Sequence, residues 1–111
     1  MGYYTKYELN ASDQTGKGRT LDFLQVAKKD NDYFDSLYRS GGDFGESWKW
    51  YDHESDVAEV TKLPQFKDWL IELRGEGEEA GDLWIKYFKN GKVQVCRAEI
   101  VYPPFDESKL K

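Results

Sequence analysis

Hydrophobic and polar positions change their period several times along the chain. From residue 3 to 9 they alternate. Tyr3, Thr5, Tyr7 and Leu9 fall on one side and Tyr4, Lys6 and Glu8 on the other, which predicts a strand. Residues 12–18 are polar and contain two glycines, and read as a loop. Between residues 21 and 38, Leu24, Ala27, Phe34, Leu37 and Tyr38 lie near one helical stripe. Lys28-Lys29-Asp30-Asn31-Asp32 interrupts it with residues of poor helix propensity, so a helix with a break is expected. Ser40-Gly41-Gly42 suits its end. Residues 46–51 alternate large rings with polar side chains and read as a short strand. Asp52 then suits an N-cap, with Glu54 and Asp56 in a first helical turn and Val57, Val60 and Leu63 at helical spacing up to Pro64.

The last third carries the sharpest signals. Residues 69–73 read as a strand and residues 75–81 as an acidic, glycine-rich loop. Residues 82–89 and 92–102 read as two strands joined by Asn90-Gly91. Asn-Gly is a strong hairpin signal, because a type I′ turn needs positive φ at both central residues. A two-residue turn there pairs Lys89 with Lys92, Phe88 with Val93 and Trp84 with Arg97. One face of the hairpin then holds Leu83, Ile85, Tyr87, Cys96, Ala98 and Ile100. It is almost wholly apolar and is expected to pack under the helices. The other holds Trp84, Lys86, Phe88, Val93, Val95, Arg97 and Glu99, with Arg97 placed for a cation–π pair with Trp84. On this pattern the second face is the open one. It is either a solvated sheet face or a surface for a partner or a second copy. Pro103-Pro104 stops the last strand, and residues 105–111 form a tail.

Composition narrows the function. A chain of 111 residues suits one domain, and an aromatic content of 16% argues for a packed core. A net charge of −5 argues against a duplex-DNA binder that works through a basic surface. No apolar run approaches the roughly 18 residues of a membrane span. The Met1-Gly2-Tyr3-Tyr4 start resembles no secretory leader, so none is expected. The single cysteine, Cys96, fits a reducing compartment and permits no internal disulfide.

Motifs for catalysis are missing. His53 is the lone histidine, without the spacing of a metal site, and reads as part of a solvated helix N-terminus. Cys96 sits on the expected core face, where a thiol is inert packing. The Gly75-Glu76-Gly77-Glu78-Glu79-Ala80-Gly81-Asp82 stretch lacks the Lys-Ser/Thr ending of a phosphate loop, and its carboxylates repel phosphate. Glu76, Glu78, Glu79 and Asp82 are either a solvated acidic loop or a contact for a basic partner surface. If Asp43, Glu46, Asp52, Glu54, Asp56 and Glu59 lie close to them in the fold, the two clusters make an acidic field able to imitate nucleic-acid phosphates; otherwise the carboxylates serve solubility.

The stretches Trp48-Lys49-Trp50-Tyr51-Asp52-His53-Glu54 and Gly75-Glu76-Gly77-Glu78-Glu79, with Gly81-Asp82-Leu83-Trp84 and Lys86-Tyr87-Phe88-Lys89-Asn90-Gly91-Lys92, carry a resemblance. The chain resembles small bacteriophage- and prophage-encoded proteins, most of which have no assigned function. The likeness is weakest over residues 12–44. It implies a bacterial cytoplasmic setting and a ferredoxin-like arrangement, and it supplies no catalytic residue. The expected fold is a single α+β domain: a largely antiparallel sheet of about five strands with two helices on one face, ending in a β-meander. The expected function is that of a non-catalytic accessory protein that binds a host protein, such as a defence or nucleic-acid enzyme. Its contacts would be Trp84, Lys86, Phe88, Val95 and Arg97 on the sheet and Glu76, Glu78, Glu79 and Asp82 on the loop, with a homodimer as a further possibility. The alternative is a nucleotide or single-strand binder that stacks bases on Trp84 and Phe88. No cofactor and no metal are expected.

Overall fold

The computed structural model describes residues 4–42, 48–77, 83–97 and 105–110. Strand β1 (Thr5–Ser12) leads into helix α1 (Thr20–Ala27), a 3-10 turn at Lys28–Asp30, and helices α2 (Asp32–Arg39) and α3 (His53–Thr61). A second 3-10 turn, Pro64–Phe66, precedes strands β2 (Leu70–Gly77), β3 (Leu83–Lys89) and β4 (Lys92–Arg97). The strands form one antiparallel sheet in the order β1-β2-β3-β4. The protein is therefore α+β, with its helices gathered in the connection between β1 and β2.

Three expectations are corrected: to begin with, α1, α2 and α3 stand where two helices were expected. Among the described residues the sheet has four strands rather than about five. Of the segment expected as a strand at 46–51, residues 46 and 47 lie outside the described residues; Trp48 makes an isolated bridge with Thr5, and the chain turns at Tyr51-Asp52 into α3. The sequential strand order, with the three described α-helices all between β1 and β2, also differs from a ferredoxin-like arrangement, in which helices and strands alternate.

The polar interruption at residues 28–32 proves to be a helix start. Asn31 is extended, and its side-chain oxygen accepts from the Tyr33 and Phe34 backbone N–H groups at 2.8 and 3.3 Å, capping α2. Asp52 occupies the N-cap of α3 as expected, but its side chain makes no capping bond.

Asn90 (φ 51°) and Gly91 (φ 81°) adopt the left-handed conformations that the type I′ turn requires. The hairpin register is the one read from the sequence: Lys89 with Lys92, Phe88 with Val93, Trp84 with Arg97. The turn is also tied to its surroundings. The Gly91 N–H donates to the Thr61 hydroxyl at the end of α3 (2.9 Å). Asn90 and Asp68 exchange two hydrogen bonds of 2.9 Å.

The core lies between the helices and one face of the sheet. Tyr7, Leu9, Ala11, Ile71, Leu73, Trp84 and Phe88 come from the strands, and Phe23, Leu24, Phe34, Leu37 and Val57 from the helices. Trp50, Phe66 and Trp69 close its flanks. β2 runs on to Gly77, so Gly75-Glu76-Gly77 is strand rather than loop. Gly75 stands between Tyr7 and Trp84 in the ladder, and a Cβ there would overlap the Trp84 indole. The glycine makes room for a ring, not for a turn.

Candidate functional site

The hairpin register held, but its two faces are exchanged relative to the sequence reading. Trp84, Lys86 and Phe88 lie at 8%, 5% and 0% exposure, under the helices. They cannot form an open platform. The reason lies in the neighbouring strand: Phe88 pairs with Ile71, Lys86 with Leu73 and Trp84 with Gly75. Those partners pair in turn with Ala11, Leu9 and Tyr7, whose side chains the helices cover. Val95 and Arg97 share that face but lie on edge strand β4 and are exposed, Val95 at 45%. The cation over the Trp84 ring is the Lys86 ammonium at 4.5 Å, not the Arg97 guanidinium. Of the acidic contact residues, Glu76 is exposed on β2, while Glu78, Glu79 and Asp82 lie outside the described residues.

The uncovered face consists of the residues assigned above to the core. Leu83 is 48% exposed, and Ile85, Tyr87 and Cys96 are half-buried; Ala98 and Ile100 lie outside the described residues. Leu70 continues the apolar strip onto β2. Two shallow clefts follow β3. One, of about 460 Å³, is bounded by Arg74, Glu76, Leu83, Ile85, Cys96 and Arg97. The other, of about 380 Å³, is bounded by Leu70, Tyr87, Lys89, Lys92, Val93 and Gln94. Charges of both signs rim them. The Glu72 carboxylate accepts from the Arg74 guanidinium at 2.6 Å and pushes its pKa up. Cys96 is thus a surface-facing thiol rather than core packing; the Gln94 amide lies 3.7 Å from its sulfur.

A second cluster lies beneath the sheet, and the sequence reading missed it. Its centre is Lys86, which projects from β3 toward the start of α3. The ammonium donates to His53 Nε2 and pairs with Glu54 Oε2 at 3.2 Å. His53 Nδ1 faces the Trp50 carbonyl at 2.8 Å. A carbonyl only accepts, so Nδ1 carries the proton and Nε2 presents its lone pair to Lys86. The imidazole stacks on Trp84, with centroids 5.0 Å apart and planes 16° apart, and lies 5.8 Å from the Tyr7 ring. Tyr7 sends its hydroxyl to the same Trp50 carbonyl (3.4 Å), and burial pushes that hydroxyl's pKa up. Asp56 accepts from the Trp50 indole N–H at 2.7 Å and from the Asn31 amide at 3.1 Å. Burial holds His53 below the usual imidazole value. The Lys86 charge acts in the same direction, and the Trp50 carbonyl, Glu54 and Asp56 oppose it.

His53 is therefore not the solvated residue that its acidic neighbours suggested. Their polarity pointed to water, yet the ring faces inward because α3 begins directly over β3. A signal was present in the sequence: a lysine at the centre of an otherwise apolar strand face needs a partner of matching chemistry nearby. Among the described residues no group of three or more His, Cys, Asp or Glu side chains could hold a metal ion. Every buried side-chain nitrogen or oxygen among them has a hydrogen-bond partner. Within the cluster, Lys86 is held by His53 and Glu54, and the Glu54 side chain is half exposed at its edge. Among the same residues no helix is long and apolar enough to cross a membrane. No family model, curated protein or solved structure matches the chain.

Proposed function

We propose that this chain is a small non-catalytic accessory protein that acts by holding another protein against the uncovered face of its sheet, in the bacterial or phage setting that the resemblance implies. One observation carries the reading. The helices cover a single side of the sheet, and the other side keeps an apolar strip of Leu70, Leu83, Ile85 and Tyr87 bordered by charges of both signs. An apolar centre with a polar rim is the anatomy of a protein interface. The clefts are shallow and run along β3, which suits side chains from a partner surface better than an enclosed small molecule. Arg97 and Glu76 then lie at the rim, in keeping with their expected contact role, whereas Trp84, Lys86 and Phe88 support the face from behind.

The oligonucleotide alternative loses its stacking rings, because Trp84 and Phe88 are buried. Among the described residues the uncovered face sets Glu8, Glu72 and Glu76 among Lys6, Arg74, Lys89 and Lys92, a mixed surface rather than a basic track for phosphates. The test uses Ile85→Glu, which sets a charge at the centre of the strip. Wild-type protein is expected to retain a bacterial protein that forms a defined complex in analytical ultracentrifugation. Ile85→Glu should weaken that complex at least about 30-fold, the effect of a central interface residue worth about 2 kcal/mol. Equal binding by both forms would overturn the reading. So would single-strand binding at physiological salt by the wild type.

A further inference from the structure

We propose that His53 is an acid-operated latch between helix α3 and the sheet: a proton taken from solvent at Nε2 removes the acceptor that holds Lys86 and releases the first turn of α3 from β3. Donors and acceptors decide the outcome. Nδ1 already donates to the Trp50 carbonyl, so a second proton can only settle on Nε2, which faces the Lys86 ammonium. An ammonium has three donors and no acceptor, and an imidazolium is a donor at both nitrogens. The contact therefore changes from a hydrogen bond into two like charges with no proton acceptor between them. Lys86 cannot swing into water in the closed structure, since its side chain is 6% exposed and lies over the Trp84 ring.

The groups around His53 define the balance. From β3 it meets Lys86 and Trp84, and from β1 the neutral hydroxyl-bearing ring of Tyr7. From its own helix it feels the carboxylates of Glu54 and Asp56. These carboxylates are already engaged. Glu54 pairs with Lys86, and Asp56 holds the Trp50 indole and Asn31. Their pull toward an imidazolium is outweighed by burial together with the Lys86 charge, which hold the His53 pKa below its ordinary value. The movable part is short: α3 spans His53–Thr61, and its far end stays tied to the hairpin through Thr61 and Gly91. Release of the first turn uncovers Trp84 and Lys86 while the rest of the core stays closed.

The sign follows from linkage. The folded imidazole titrates below its ordinary value of 6.5, so the closed form binds its proton less readily than the open form. The closed form is favoured above that value and loses ground as pH falls toward the lowered one. In that window the opening constant should rise about tenfold per pH unit, the slope of a single proton.

Hydrogen exchange on the full chain between pH 7.5 and 5, corrected for intrinsic rates, reads this directly. In the wild type, the amides at the start of α3 are expected to lose protection while β1 and β2 keep theirs. His53→Gln, whose amide oxygen still accepts from Lys86 but does not titrate, should abolish the pH response. Lys86→Met offers an independent reading through the histidine ring signals in NMR: without the facing charge the His53 titration midpoint should move up. Protection of α3 indifferent to pH overturns the latch. So does an equal response in His53→Gln, loss of protection throughout the chain at once, or a midpoint unmoved in Lys86→Met.

Discussion

The two faces of β3 differ in a way that reverses ordinary expectation. The face bearing Trp84, Lys86 and Phe88 carries a charge at its centre, and it is the covered one. The face bearing Leu83, Ile85 and Tyr87 is apolar up to Lys89 at its end, and it stays uncovered. Count of apolar side chains does not decide which side of a strand is buried. What decides here is volume and complementarity. Trp84 fills the gap left by Gly75, Phe88 sits among Ile71 and the helices, and the Lys86 ammonium finds an acceptor and a carboxylate in His53 and Glu54. A long amphipathic side chain can be buried when its stem packs and its head is satisfied. Among the described residues no such layer packs on the other face, which is why it is the candidate surface for a partner.

The comparison breaks most readily on the covered side. Phe88→Ala leaves a cavity at a fully buried position and should cost about 3–5 kcal/mol in denaturant unfolding. A loss below about 1 kcal/mol would mean that Phe88 does not face the core. Lys86→Glu should be comparably severe, at about 3–5 kcal/mol, because it leaves a buried carboxylate against Glu54 with no cation. Gly75→Ala should follow at about 1–3 kcal/mol by forcing the Trp84 ring to shift. Pairing it with Trp84→Leu sharpens the point: the double variant should lose less than the sum of the single ones, whereas strict additivity would show that the ring and the glycine do not share space. On the uncovered side, Leu83→Ser should change stability by about 0.5 kcal/mol or less, since the side chain is half exposed already. A large loss there would restore the opposite assignment of faces.

Much of the local architecture was legible in the residues. The alternation at residues 3–9 marked β1. The Asn90-Gly91 pair carried its turn type and the whole β3–β4 register, because both demand positive φ and a two-residue loop leaves one pairing. The polar run at residues 28–32 marked the break between α1 and α2, since Asn31 caps a new helix with its own side chain. These features depend on a few neighbouring residues and on backbone geometry, so they can be read along the chain.

The orientation of the hairpin could not be read that way. A register relates β3 to β4 and is silent about which side meets the helices. That was decided by the pairing of β2 with β3, by a glycine that had the look of a loop residue, and by the placement of α3 over Lys86. His53 and Lys86 are separated by 33 positions, and their hydrogen bond exists because a helix start and a strand centre converge in space. The sequence by itself determined β1, the break between α1 and α2, the start of α3 and the hairpin turn, all of them consequences of local dihedral preference and periodicity. Only the tertiary structure decided which face is covered and which charge is buried, because both depend on long-range fit between side chains far apart in the chain.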